Sequence, residues 1–190
     1  MPLPLLKPVF FLLSLLPLSY YTWGAWRDTL GANPIEAVTR GLGTWALNFL
    51  LITLAVTPLR KLSGWHGLMR LRRMFGLFVF FYALLHLMTY LWFDQFFDWD
   101  EIAQDIFKRP FITVGMVTFF LLVLLAVTSN QFAIKKLGGR RWQSLHRTVY
   151  ACAILAVLHY SWLVKADQSQ PLLYAGILAL LLGMRAFHGL

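Results

Sequence analysis

Long apolar stretches separated by short polar connections make up most of this 190-residue chain. A helix needs about 20 mostly apolar residues to cross the hydrocarbon core of a bilayer. Six stretches approach or meet this length, at residues 8–26, 42–58, 74–93, 110–128, 145–164 and 171–188. The pattern therefore predicts an all-α integral membrane protein with six transmembrane helices, and we interpret residues 1–190 as one transmembrane domain.

Proline and glycine mark the connections between these stretches. They occur in GANP (31–34), TP (57–58), RP (109–110), LGG (137–139) and QP (170–171), where we expect helices to end. Pro17 falls inside the first stretch, where it should kink the helix or have its lost hydrogen bond compensated by neighbouring groups. This stretch follows Lys7 and continues through Trp23 without a small-residue cleavage site, so we interpret it as a retained span rather than a signal peptide.

The composition agrees with a membrane protein. The chain is 59% hydrophobic and 13% charged, with a mean hydropathy of +0.64, whereas a soluble domain has about 45–50% apolar and about 25% charged residues. The net charge of +9 comes from short basic groups between apolar stretches, so it indicates membrane orientation rather than nucleic-acid binding. The single cysteine, Cys152, excludes an internal disulfide, a thioether-attached haem and a cysteine-ligated cluster.

Charged residues alternate between two sets of connections. The basic set is Arg60, Lys61, Arg70, Arg72 and Arg73 in the second connection and Lys135, Lys136, Arg140 and Arg141 in the fourth, with Arg147 just inside the fifth span. The acidic residues are Asp28, Glu36, Asp94, Asp98, Asp100, Glu101, Asp105 and Asp167, in the first, third and fifth connections. The positive-inside rule then places both termini in the cytoplasm, and Trp23, Trp26, Trp65, Trp92, Trp99, Trp142 and Trp162 lie near span ends as an interfacial belt.

Three histidines lie in or beside the apolar stretches: His86 in the third, and His146 and His159 in the fifth. An imidazole in hydrocarbon is costly, so an intramembrane histidine indicates a functional role. His86 and His159 have no charged neighbour in the sequence that could pair with them. Ligation of a buried group is therefore the leading hypothesis, and haem iron is the strongest candidate.

Depth separates the three histidines into two groups. The third and fifth spans run in the same direction, and at 1.5 Å per residue His159 lies about 20 Å beyond His146. His86 and His159 thus reach similar depth in the outer half of the bilayer, while His146 stays near the cytoplasmic surface. Two imidazoles at matched depth on facing helices can hold one porphyrin in a helical bundle.

Other interpretations of these histidines remain open. A membrane histidine can simply form a hydrogen bond between helices. A zinc site would need about four ligands, and no carboxylate or thiol lies at the same depth. We expect His66 to face water or headgroups and His188 to be interfacial.

The motifs GTWALNFLLITLAVTPLR (43–60) and LRRMFGL (71–77), with WQSLHRTVY (142–150) and LHY (158–160), carry a resemblance to a known family. Over nearly its whole length the chain resembles the ferric-reductase-like transmembrane superfamily. Within it, the chain is similar to the haem-binding membrane subunits of bacterial methionine-sulfoxide reductase systems. In this pattern His86 and His159 match the haem-ligand positions and His146 matches a third conserved histidine position of the family.

The resemblance implies a b-type cytochrome in the bacterial inner membrane, an electron-transfer subunit without a substrate-reducing site of its own. It implies electrons drawn from the quinone pool, with FMN as a further cofactor. The electrons would pass to a separate periplasmic molybdopterin enzyme that reduces methionine sulfoxide in oxidised proteins. Stand-alone quinol- or ferric-reducing cytochromes, and a non-redox transporter or assembly factor, are the alternative functions.

The chain departs from the larger superfamily at one point. Relatives with two stacked haems carry a second histidine in the third span, where this chain has Arg72 or Arg73. A second haem at His146 would lack its usual partner ligand; it could recruit His66 or His188, use one protein ligand, or be absent. The two arginines could bind haem propionates, FMN phosphate or lipid phosphate, or serve only to orient the chain.

The sequence contains no GxGxxG motif for a nicotinamide-binding domain. We therefore expect electrons to arrive from a lipid-soluble carrier, a bound flavin or a separate cytoplasmic flavin reductase. The basic cytoplasmic face would suit a flavin phosphate or an acidic reductase. The acidic outer loop 93–107 could dock the periplasmic enzyme. Exclusion of basic residues by topology explains its charge equally well.

Overall fold

The computed structural model describes residues 3–187, with side chains from residue 6 onward, and every regular element in this range is helical. The α-helices are α1 (Leu3–Trp26), α2 (Pro34–Ser63), α3 (Met69–Thr89), α4 (Trp99–Lys108), α5 (Pro110–Val127), α6 (Gln131–Leu137), α7 (Gly139–His146), α8 (Val149–Leu163) and α9 (Ser169–Phe187). A 3₁₀ turn, His66–Leu68, precedes α3 and a π-helical turn, Tyr90–Asp94, follows it. The all-α prediction is confirmed.

The chain divides into two compact units, Met1–Asp98 and Trp99–Leu190. In the first unit, α2 and α3 pack side by side as an antiparallel hairpin, and α1 packs against both. In the second unit, α5 and α8 form the corresponding hairpin, and α9 packs against α8. One domain over residues 1–190 stays a prediction.

Within the residues that the structure describes, five helical segments are long and apolar enough to cross a membrane: Leu6–Trp26, Pro34–Ser63, His66–Asp94, Pro110–Val127 and Ser169–Phe187. The fifth predicted span is shorter, because α8 has only 15 residues. At 1.5 Å per residue α8 is about 22 Å long, less than the roughly 30 Å of hydrocarbon. The six-span count and the orientation of the termini therefore stay predictions.

The fifth stretch is interrupted where we expected a continuous helix from residue 145. Helix α7 ends at His146, residues 147–148 form a turn, and α8 begins at Val149. Arg147 caps α7 through its backbone N–H, and the Thr148 hydroxyl donates to the carbonyl of Leu145 at 2.8 Å. Such local side-chain bonds compete with the helical pattern. Arg147 thus lies in the turn before α8, and His146 and His159 do not share one uninterrupted helix.

The expected end of a helix at residues 57–58 is also wrong. Helix α2 continues through Pro58 to Ser63 and ends at Gly64, whose φ of 68° is the left-handed conformation typical of a helix C-terminus. Thr57 and Pro58 are both buried, so packing offsets the backbone hydrogen bond that proline cannot donate. Local sequence explains where α2 begins, because Pro34 occupies the first turn and Asn33 caps it.

Helix α1 continues through Pro17, which leaves the carbonyl of Leu13 without its helical donor, and a side chain of α3 bonds the backbone immediately beside it. The Tyr82 hydroxyl of α3 donates to the carbonyl of Ser14 at 2.6 Å and accepts from the N–H of Leu18 at 3.3 Å. Ser14 and Leu18 are four residues apart, the spacing of one helical hydrogen bond. The tyrosine is fully buried and bridges the backbone of α1 beside the proline.

Aromatic side chains fill the interior of the first unit. Phe49 of α2 stacks on Tyr82 with ring centroids 5.3 Å apart and on Phe78 at 5.5 Å. Phe75 extends the cluster at 6.2 Å from Phe49. Such rings bury large apolar areas and gain further from stacking, so this cluster holds α2 and α3 in register.

Much of the acidic segment 93–107 is helical rather than a loop. Its second half forms α4, which buries Ile102 and Asp105 and exposes Trp99 and Phe107. The Asp105 carboxylate pairs with Arg109 at 3.0 Å. The acidic segment therefore contains an amphipathic helix, whose apolar residues recur at helical spacing.

Basic residues on the predicted outer side are also paired. Arg40 contacts Glu36 at 2.6 Å in α2, and Arg109 contacts Asp105 across the start of α5. Exposed pairs of this kind contribute little to stability, but they offset positive charge on that side.

Candidate haem-ligand histidines

His86 lies in the last turn of α3, half-buried against α2. Its Nδ1 is 2.8 Å from the backbone carbonyl of Thr39. A carbonyl can only accept, so Nδ1 carries the hydrogen and donates it. In a neutral imidazole the lone pair then resides on Nε2.

His159 is held in the same way in the second unit. It lies in α8, half-buried, and its Nδ1 donates to the backbone carbonyl of Phe111 in α5 at 2.7 Å. The Phe111 ring also packs near the imidazole, with centroids 6.1 Å apart. Each hairpin therefore contains one histidine anchored to the opposite helix through Nδ1.

This donor arrangement fits an axial ligand of haem iron. Metal-ligating histidines characteristically donate their second ring N–H to a carbonyl or carboxylate, which sets the tautomer and the orientation of the ring. In both hairpins the donating nitrogen is Nδ1, so Nε2 is the nitrogen with the chemistry to ligate. Among the described residues, no three His, Cys, Asp or Glu side chains are grouped to hold a metal ion.

His146 has different surroundings. Its Nε2 lies 3.1 Å from the Thr128 hydroxyl, and its ring stacks on Trp142 with centroids 4.0 Å apart. The indole of Trp142 donates to the carbonyl of Thr128 at 2.8 Å. The Thr128 hydroxyl donates its one hydrogen to the carbonyl of Leu124 at 2.7 Å, so its oxygen is left to accept from Nε2 of His146. A role for His146 at a second haem stays a prediction.

The two remaining histidines lie apart from these positions. His66 is exposed in the 3₁₀ turn before α3, as expected for a residue facing water or headgroups. His188 lies outside the described residues.

Arg72 and Arg73 lie at the start of α3, the first half-buried and the second exposed. Positive charge near a helix N-terminus opposes the helix dipole. The stability of α3 itself therefore does not explain the two arginines, whereas orientation or binding of an anionic group would. Binding of a cofactor by either residue stays a prediction.

Sequence reasoning did not single out Thr39 or Phe111, because both act through a backbone carbonyl that every residue has. It also passed over Arg185, which is buried near the end of α9. The Arg185 guanidinium donates to the Tyr150 hydroxyl and lies 5.1 Å from that ring's centroid. A lone arginine in the last apolar stretch was the signal that could have identified it.

Residues 42–157 match the family described as "Ferric reductase like transmembrane component". The matched region starts in α2, includes His86 and His146, and ends at Val157, just before His159. Together with the apolar helices, this match defines a multi-pass membrane protein of the ferric-reductase-like class.

Curated relatives narrow the assignment. The chain is 63% identical to a protein of Azospira oryzae over 95% of this chain and 78% of that protein. It is 54% identical to one of Herminiimonas arsenicoxydans, over 97% and 86%, and 57% identical to one of Rhodospirillum rubrum, over 92% and 84%. Each is named "Protein-methionine-sulfoxide reductase heme-binding subunit MsrQ". The chain belongs to the MsrQ family, and the predicted resemblance is confirmed.

Proposed function

We propose that this protein is the haem-binding membrane subunit of a bacterial methionine-sulfoxide reductase, a b-type cytochrome of the inner membrane. His86 and His159 would hold haem iron through their imidazoles. The names of the relatives support the haem and the reductase. The observation that carries the ligand assignment is the matched anchoring of the two imidazoles, at 2.8 Å and 2.7 Å, to backbone carbonyls.

The protein's own contribution is to hold and orient the ligands. The carbonyls of Thr39 and Phe111 keep the hydrogen on Nδ1 of each imidazole, which would leave Nε2 of each ring to bind the iron and would raise the basicity of the ligand. Haem b, when bound, supplies a one-electron carrier within the membrane. None of these residues needs to act as a nucleophile or a general base.

The substrate chemistry belongs to a partner. Reduction of a sulfoxide to a thioether takes two electrons and two protons and releases water. We assign this step to a separate periplasmic molybdopterin enzyme acting on oxidised proteins. Electrons enter from the quinone pool, directly or through FMN, with a cytoplasmic flavin reductase as the alternative donor. Arg72 and Arg73 are our candidates for binding haem propionates or FMN phosphate.

A reduced-minus-oxidised visible spectrum of the purified protein tests the ligand assignment. We expect a b-type α band that is lost in His86→Ala and His159→Ala and kept in His66→Ala, because His66 is exposed outside α3. Absence of the band in well-expressed, haem-supplied wild-type protein would overturn the cytochrome proposal. Full haem content in both ligand variants would overturn the assignment, and loss only in His146→Ala would move the site.

A second measurement tests the acceptor. Reduced protein should be reoxidised when the purified periplasmic reductase and methionine sulfoxide are added together, and not by methionine sulfoxide alone. Reoxidation by ferric chelates without any effect of the reductase would instead favour a stand-alone cytochrome. Haem and FMN assayed against protein in the same sample give the number of haems and test the flavin.

A further inference from the structure

We infer that Gly43 and Gly115 are positioning residues that allow His86 and His159 to reach their backbone anchors. The inference rests on the proposed function only for its haem readouts. Gly43 lies four residues after Thr39, and Gly115 lies four residues after Phe111. Residues four apart share one face of a helix. Each glycine is therefore on the same face of its helix as the residue that anchors the histidine.

Each glycine lies where an added β-carbon would crowd the ring of its histidine. A β-carbon on Gly43 would lie 3.1 Å from Cε1 and from Nδ1 of His86. On Gly115 it would lie 2.9 Å from the same two atoms of His159. Non-bonded carbon atoms are at their optimal separation at about 3.5–4.0 Å. A side chain at either position would therefore require the imidazole ring to move.

Among the other helical glycines, Gly24 and Gly41 face Leu30 and Tyr21 closely, whereas Gly76 and Gly176 have no close neighbour. A β-carbon on Gly76 of α3 would find its nearest neighbour at 3.9 Å, the Cγ2 of Thr53, and one on Gly176 of α9 would meet nothing within 4 Å. Glycine inside a helix is less favourable than alanine. At Gly43 and Gly115 the absence of a side chain lets the histidine ring lie against the helix backbone. This reason for glycine does not apply at Gly76 and Gly176.

The contact involves Nδ1, the nitrogen whose hydrogen bond sets the tautomer of the imidazole. Nδ1, with Cε1, is the atom that an added β-carbon would approach most closely, and it is also the donor to the carbonyl. An added methyl group must push the ring, which lengthens or rotates the hydrogen bond that sets the tautomer. Loss of the hydrogen bond that orients a metal-ligating histidine costs about 10–100-fold in metal affinity. The effect should be larger at Gly115, where the contact is closer.

The test compares Gly43→Ala and Gly115→Ala with the controls Gly76→Ala and Gly176→Ala in the full-length protein. We expect haem affinity to fall about 10-fold or more in Gly115→Ala and less in Gly43→Ala, with no loss in either control. Electron paramagnetic resonance of the oxidised haem should report a changed orientation of the imidazole planes in the haem that the two variants retain.

A readout without haem separates this inference from the proposed function. Nitrogen NMR of ¹⁵N-histidine-labelled protein distinguishes an imidazole protonated at Nδ1 from one protonated at Nε2. We expect the Nδ1–H signal of His159 to weaken in Gly115→Ala and to persist in Gly176→Ala. Haem-free wild-type protein would overturn the proposed function, yet the NMR comparison would still decide the role of the glycines.

The inference is overturned if both glycine variants keep the wild-type haem affinity, resonance spectrum and histidine tautomers. It is also overturned if the control variants lose as much haem as the test variants, because general helix packing would then be the cause. Gly43→Ala covers the case in which Gly115→Ala does not fold, since a 3.1 Å contact can be relieved by a small shift of the ring.

Discussion

The hairpins α2–α3 and α5–α8 anchor a histidine with the same geometry but are packed very differently. Helices α2 and α3 have 30 and 21 residues, whereas α5 and α8 have 18 and 15. The first hairpin is filled by stacked aromatic rings around Phe49. The second buries smaller side chains, such as Cys152 and Ala153.

The difference shows that the anchor does not depend on how heavily a hairpin is packed. In each case the requirement is one backbone carbonyl and one glycine a turn later on the facing helix. Packing instead decides how much stability each hairpin loses when a core side chain is substituted. Removal of an aromatic ring should lower the stability of the first hairpin strongly. In the second hairpin, substitutions should act mainly on the position of the histidine.

The largest effect expected is loss of haem when either ligand is removed. His86→Gly and His159→Gly should lose the α band, because a cavity replaces one axial ligand. Millimolar imidazole should restore the band more fully in His86→Gly, since the rigid first hairpin preserves the shape of the cavity. Equal rescue, measured by visible spectroscopy, would argue against a difference in rigidity between the hairpins.

Truncation of a core side chain should give the next largest difference in stability between the two hairpins. Phe49→Ala removes the ring on which Phe78 and Tyr82 stack, so we expect a loss of about 3–5 kcal/mol in the free energy of unfolding. Leu122→Ala in α5 is the matched change and should cost about 2–5 kcal/mol, at the low end of that range. Unfolding in mixed micelles measures both. A larger loss for Leu122→Ala would contradict the comparison.

A smaller effect is expected where α3 supports α1. Tyr82→Phe removes the hydroxyl that binds Ser14 and Leu18 beside Pro17. Buried backbone groups left without this partner should cost about 1–3 kcal/mol. Limited proteolysis within α1 and thermal unfolding provide the measurement. Tyr160→Phe in α8 is the control; an equal loss there would mean that the bridge at the proline is not the cause.

The smallest effects concern the ion pairs near the start of α2 and α5. Glu36 is 45% exposed in its pair with Arg40, whereas Asp105 is 13% exposed in its pair with Arg109. Exposed pairs contribute about 0.2–1 kcal/mol, so Glu36→Gln should be nearly silent and Asp105→Asn should cost more. Thermal unfolding at low and high salt measures both, and salt should reduce the Glu36 effect first. The reverse order would show that burial does not govern these pairs.

Local sequence patterns predicted most of the helices. Apolar stretches of sufficient length placed α1, α5 and α9 within a few residues, because a membrane helix must satisfy its own backbone hydrogen bonds. The patterns were wrong at Pro58, at the turn after His146 and over α4, which they gave as a loop. At Pro58 and after His146, local propensity competes with packing or a side-chain bond, and only the folded neighbours decide the outcome.

The sequence by itself determined the membrane class, the family and the three histidines that could carry chemistry, since burial cost and composition depend on residue type alone. The tertiary structure decided which backbone carbonyls anchor His86 and His159, and that a glycine faces each ring. It also gave His146 a threonine and a tryptophan instead. The physical reason is that carbonyls are common to every residue, so their partners are selected by how helices pack.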